Sequence, residues 1–85
     1  MTIEFTKQAD EDLASFKKSG KKQIIEKVKI LLNSIVEDPY SGIGKPEPLK
    51  HNLSGAWSRR INKEHRLIYE VDEDIVYILS LKGHY

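Results

Sequence analysis

The last third of the chain leaves little choice of topology. Three runs rich in aliphatic, β-branched and aromatic residues, Trp57–Ile61, Arg66–Val71 and Ile75–Leu81, are separated only by the polar stretches Asn62–His65 and Asp72–Asp74. A parallel pair needs a crossover of roughly a dozen residues or more, so gaps this short predict an antiparallel meander. Ahead of it, Thr2–Phe5 predicts a short opening strand and Thr6 a helix N-cap. Ala9, Leu13 and Phe16 follow at helical spacing, with Asp10, Glu11 and Asp12 early, Lys17 and Lys18 late, and Gly20 as the stop. A second helix over 21–37 carries the apolar stripe Ile24, Ile25, Val28, Leu31, Leu32, Ile35 and Val36, and Pro39 forces Asp38 out of helical geometry. The expected fold is α+β: one domain spanning 1–85, an antiparallel sheet made of the N-terminal strand plus the C-terminal three-strand meander, and two helices packed on one face.

Side chains alternate across a strand, so the apolar members of each run mark its inner face. Trp57 and Ile61 are expected to face the helices, leaving Ser58 and Arg60 on the open face. In the second run Leu67, Tyr69 and Val71 point inward, and Arg66, Ile68 and Glu70 outward. In the third, Ile75, Tyr77, Leu79 and Leu81 point inward, with Ser80, Lys82 and, if the strand continues, His84 outward. Arg60, Arg66 and His84 would then share one open face, and Arg59 would not unless a bulge intervenes.

The net charge of +1 hides an uneven distribution. Residues 45–66 hold six Lys/Arg (Lys45, Lys50, Arg59, Arg60, Lys63, Arg66) against Glu47 and Glu64, six minus two, or +4, with His51 and His65 alongside. A local basic surface attracts phosphate even when the chain as a whole is near neutral. There is no cysteine, so disulfides and thiolate metal sites are excluded. The N-terminus lacks the basic and apolar regions of a signal peptide, and no apolar run approaches the ~20 residues that cross a bilayer, so a cytoplasmic protein without membrane association is expected. His51, His65 and His84 show no close ligand spacing and no acidic cluster suggests a metal pair; neither metal nor cofactor is expected. Lys45 is followed by Pro46, which rules out a phosphate-binding loop of the Gly-Lys-Ser/Thr kind.

Cutting RNA without a metal requires a base for the 2′-hydroxyl, cations for the phosphate and an acid for the departing 5′-oxygen. Glu47, Lys50, Arg60, Arg66 and His84 are residue types suited to those tasks. A guanidinium can grip two phosphate oxygens, and an imidazole titrates near neutrality. Taken singly, the same residues also suit a solvated charged surface.

The run Gly44-Lys45-Pro46-Glu47-Pro48-Leu49-Lys50-His51-Asn52-Leu53-Ser54-Gly55, followed by Trp57-Ser58-Arg59-Arg60-Ile61, Glu64-His65-Arg66-Leu67-Ile68-Tyr69 and the terminal His84-Tyr85, closely resembles the YoeB family of toxins, within the RelE/ParE superfamily. The resemblance covers about the C-terminal half. It implies an endoribonuclease that cleaves translated mRNA in the ribosomal A site, silenced by a YefM-type antitoxin and able to form a homodimer. It implies Glu47 as general base, His84 as general acid and Arg66 as the phosphate-stabilising residue, with Lys50, Arg60 and Tyr85 contacting substrate. The alternative is a ParE-like toxin of the same fold that inhibits gyrase without nuclease activity. Two departures from familiar members are a first helix poorer in Trp and Tyr and Gly83 at a position often aromatic.

Overall fold

The structure, a computed structural model, describes residues 1–83; His84 and Tyr85, and the roles expected of them, lie outside the described residues. β1 (Thr2–Phe5) leads directly into α1 (Lys7–Lys18). Thr6 is the N-cap: its Oγ1 accepts from the Ala9 N–H at 3.3 Å and donates to the Ile78 carbonyl at 2.9 Å, so one hydroxyl ties the helix start to the sheet. At the other end the Lys21 and Gly20 N–H groups return to the Phe16 and Lys17 carbonyls, closing α1. α2 (Lys22–Glu37) ends where Asp38 turns extended ahead of Pro39. Val28, Leu31 and Ile35 of its stripe are buried, Ile24, Ile25 and Leu32 pack beside them, and Val36 is exposed.

β2 (Glu47–Pro48), β3 (Ala56–Arg60), β4 (Arg66–Asp72) and β5 (Ile75–Gly83) complete one five-stranded sheet in the order β1-β5-β4-β3-β2. The meander is antiparallel as expected. The sheet as a whole is mixed, because β1 joins β5 in parallel, with Thr2 opposite Ile75 and Phe5 opposite Ile78. α1 and α2 carry the chain from β1 to the far side of the sheet, and β1 is left alongside the last strand. Glu47–Pro48 adds a strand that the expected sheet lacks, pairing with β3 as a two-residue edge strand.

Both helices contribute to one core, in which Ala9, Phe16, Val28, Leu31 and Ile35 meet Ile61, Leu67, Tyr69, Val76, Ile78 and Leu81. The inward faces of β3 and β4 are those the alternation predicts. β5 is not. Val76 and Ile78 are its core residues, while Ile75 and Tyr77 stand opposite Asp72 and Glu70 on the open face, and Leu79 is outside the core. Three steps along β4, Tyr69 to Arg66, are matched by five along β5, Ile78 to Gly83. Two extra residues therefore bulge out of β5, and the slip returns Leu81 to the core. The second register shift, between the Ile68–Ser80 and Arg66–Gly83 pairs, takes Lys82 off the open face expected for it: its Nζ donates to Ser15 Oγ of α1 at 2.8 Å and sits 5.1 Å from the centre of the Phe16 ring. Next to it, where β1 has ended, the buried carboxylate of Asp12 accepts the Leu81 N–H at 2.9 Å.

Arg59, half of a pair that usually lies in solvent, is fully buried on the helix side. Its Nε donates to Tyr69 Oη (3.1 Å), Nη1 to Ser34 Oγ (2.7 Å) and the Ile43 carbonyl (3.1 Å), and Nη2 to the carbonyls of Asp38 (2.7 Å) and Ser41 (2.9 Å). All five guanidinium donors are used. The segment 38–44 is thus wrapped around one cation. Gly42 permits the wrap: with φ of 120°, a Cβ there would stand 2.5 Å from Ser34 Oγ and 3.2 Å from Arg59 Nη1. Burial pushes the Tyr69 phenol up, against the Arg59 contact, and its hydroxyl donates to the Pro39 carbonyl at 2.6 Å. The Tyr40 N–H and the Ser41 hydroxyl hold the Asp38 carboxyl below its usual range. A depressed folded value stabilises the turn above that range, and the contribution is lost as pH falls below it.

Arg59→Ala would strand three backbone carbonyls and two hydroxyls in the interior. At roughly 1–3 kcal/mol for an unsatisfied buried group, partly relieved by entering water, the expected loss is about 3–5 kcal/mol. For a domain of this size each kcal/mol moves Tm by ~4–8 °C. Thermal denaturation should therefore show Arg59→Ala melting at least ~12 °C below the parent, with Arg59→Lys also impaired because an ammonium has three donors and no fork. Arg60→Ala, on the exposed side of the same strand, should melt within ~0.5 kcal/mol of the parent.

Candidate active site

The wrap around Arg59 sets the position of the next segment. The Gly44 carbonyl accepts the Arg60 N–H at 2.7 Å and the Leu49 N–H donates to the Ala56 carbonyl at 2.9 Å, so β2 is pinned to β3 at both ends. Pro46 and Pro48 keep the backbone between those points extended. Glu47 is thereby fixed opposite Ser58, and Pro48 opposite Trp57, whose ring packs 5.0 Å from that of Tyr40. Beyond Pro48 the chain passes Leu49 and Lys50, makes a single 3-10 turn at His51–Leu53 and re-enters the sheet at Ala56.

Residues directly opposite in a ladder share a face. Glu47, Ser58, Ile68 and Ser80 form one row across the open face, and Arg60, Arg66 and Gly83 form the next. Between the rows, Arg66 Nη1 donates to Glu47 Oε1 at 3.0 Å. The guanidinium is mostly covered (19% exposed) and the carboxylate is half in solvent (54%). Both line an open cleft of about 420 Å³ with Pro48, Leu49, Lys50, His51, Asn52 and Leu53. Gly83 closes the row against Ile68: a Cβ there would lie 2.7 Å from Ile68 Cγ1, so the last described residue of β5 presses on the sheet where a bulkier side chain would not fit unless Ile68 moved. Ile68 is buried although it faces outward.

Of the residues singled out from sequence, Glu47, Lys50 and Arg66 meet in the cleft, and Arg60 stands directly across from Arg66. Arg59 points away from them into the interior. His51 lines the cleft without having been assigned a role, its only signal being its place next to Lys50. His65 is instead part of the helix side, edge-on to the Phe16 ring at 5.2 Å. Among the described residues no three His, Asp or Glu side chains gather as metal ligands. An anionic acceptor beside a guanidinium group, in a cleft that also holds a lysine, is an arrangement that can take a proton from a hydroxyl and hold a phosphate.

A family model described as the YoeB-like toxin of bacterial type II toxin–antitoxin systems matches residues 5–85. A toxin YoeB of Synechocystis sp. is 47% identical over 85 residues, covering 100% of this chain and 98% of the relative. Among solved structures, the YoeB dimer from Staphylococcus aureus superposes with a TM-score of 0.91 at 48% identity, covering 100% of this chain and 98% of that one. The heterotetrameric YoeB–YefM toxin–antitoxin complex from the same organism gives 0.89 at 48% identity, with the same coverage.

The Glu47–Arg66 pair is exposed on the carboxylate side, so it contributes little to folding; pairs of this kind are worth about 0–1 kcal/mol. Glu47→Ala should therefore fold and melt within ~1 kcal/mol of the parent by chemical denaturation. A much larger loss would make the pair a structural element.

Proposed function

The chain belongs to the YoeB-like toxins of bacterial type II toxin–antitoxin systems, and from that premise we propose that it is a ribosome-dependent endoribonuclease that cleaves translated mRNA in the A site and so stops translation. The observation that carries this reading is the Glu47–Arg66 contact at 3.0 Å in a cleft that also holds Lys50. Glu47 takes the proton of a ribose 2′-hydroxyl. The 2′-oxygen attacks the adjacent phosphorus, the bond from phosphorus to the 5′-oxygen breaks, and His84 gives that oxygen a proton. The products are a 2′,3′-cyclic phosphate and a 5′-hydroxyl. Arg66 leaves the carboxylate to bind the phosphate oxygens as their charge rises, and Lys50 and Arg60 hold the neighbouring backbone. His84 takes its role as general acid from the family pattern and from the chemistry of an imidazole, and Tyr85 its substrate contact from the family pattern alone. No metal or cofactor enters the scheme.

The partner of this enzyme is an antitoxin of the YefM type, as in the Staphylococcus aureus complex, and a second copy of the chain is a further partner, as in the dimer of that toxin. An antitoxin that binds only the folded toxin raises its Tm by mass action. Hydrogen exchange should show new protection at residues 45–66 if silencing acts on the cleft.

Primer extension on an mRNA undergoing translation in a purified system tests the activity. The parent protein should produce cuts within the codon at the A site. Glu47→Ala, His84→Ala and Arg66→Lys should each slow cleavage by ~10²–10⁴-fold, the usual contribution of an acid, a base or an oriented charge. Intact mRNA combined with loss of gyrase supercoiling would replace this reading with a ParE-like one.

A further inference from the structure

We propose that Ser58 is a positioning residue that takes over the Glu47 carboxylate when Arg66 releases it to a substrate phosphate, an inference that rests on Glu47 being the base. Ser58 is 1% exposed, and its Oγ has no hydrogen-bond partner among the described residues. A buried hydroxyl left unpaired is uncommon, because it has given up water and gained nothing. This one lies on the open face directly opposite Glu47 in the β2–β3 ladder. Side chains so paired have Cβ atoms about 4.5–5.5 Å apart, a gap that a Glu carboxylate spans by a change of rotamer.

The resting contact at 3.0 Å occupies the guanidinium that the phosphate needs. A dianionic transition state draws Arg66 away, since a two-pronged arginine–phosphate contact is stronger than a half-exposed ion pair. Glu47 would then lose the one donor it has among the described residues at the moment it must act. The Ser58 hydroxyl fills that vacancy. It donates to one carboxylate oxygen, keeps the group ionised and leaves the second oxygen to accept the 2′-hydroxyl proton. Nothing in the resting contact uses Ser58, which accounts for its hydroxyl being idle there.

Two experiments decide this. In a crystal structure of Arg66→Ala, a Glu47 carboxylate oxygen should lie within ~3 Å of Ser58 Oγ; a carboxylate turned to solvent with Ser58 still unpaired overturns the proposal. In the translated-mRNA assay, Ser58→Ala should melt no lower than the parent yet cleave about tenfold more slowly at saturating ribosomes, the worth of one hydrogen bond to a charged group. The acid limb of its pH–rate profile should move to higher pH, because losing the donor disfavours the ionised base. Ser58→Cys keeps the volume with a weaker donor and should resemble Ser58→Ala; if it matches the parent, Ser58 matters only for packing and the proposal fails. A Ser58→Ala protein with parental rate and acid limb overturns it too. If the parent protein itself leaves mRNA intact, the ribonuclease reading is what fails, and the Arg66→Ala crystal structure still decides whether Ser58 receives the carboxylate.

Discussion

The buried guanidinium of Arg59 organises the half of the molecule that carries chemistry. A cation left without acceptors would be intolerable in an apolar interior, and here carbonyls and hydroxyls accept all five of its N–H groups, with the Asp38 carboxylate near enough to feel its charge. Four of those five acceptors come from the end of α2 and the segment after it, the fifth being the Tyr69 hydroxyl of β4, so meeting the demands of one side chain gives that segment its shape. From Gly44 onward the chain has a fixed starting point, and the short β2 ladder follows. Adjacent residues on β3 thus serve opposite purposes. Arg59 builds the support from below, and Arg60 presents its charge above.

The sheet separates these purposes cleanly because one face is filled by both helices and the other is left to polar and charged rows. Placing a carboxylate and an arginine on adjacent rows brings them together diagonally, across three strands that follow one another in the chain. The bulges of β5 matter to this arrangement as well. They return Leu81 to the core and bring Gly83 opposite Arg66, so the C-terminal strand reaches the edge of the cleft in a register that regular alternation would not produce.

Much of this was readable from the chain. The α2 stripe, the Thr6 cap, the Pro39 stop and the faces of β3 and β4 each follow from a local rule, and those rules hold. The expectation that Arg60 and Arg66 share a face came from the same alternation. β5 broke it because Ile75 through Leu81 is almost continuously apolar, a run with no polar partner to mark its outer face, and the added residues leave no local signature. The direction of β1 depends on where two helices deliver the chain, which four residues cannot encode. Arg59 was unreadable as an interior residue because its acceptors are backbone carbonyls, and backbone carbonyls are the same in every sequence. The family resemblance supplied residue roles that no spacing rule could have given, and for Tyr85 it is the whole basis.

The outermost strands, β1 and β2, are four and two residues long, and where β1 stops the Asp12 carboxylate occupies the Leu81 N–H that a further strand would use. Edges this short, and plugged by a helix side chain, offer no template for another polypeptide to extend the sheet. A chain made at high concentration is therefore protected from stacking edge to edge into fibrous aggregates. Recognition of the molecule by other proteins must then be written in side chains, on its helices, loops and cleft, where it can be made selective.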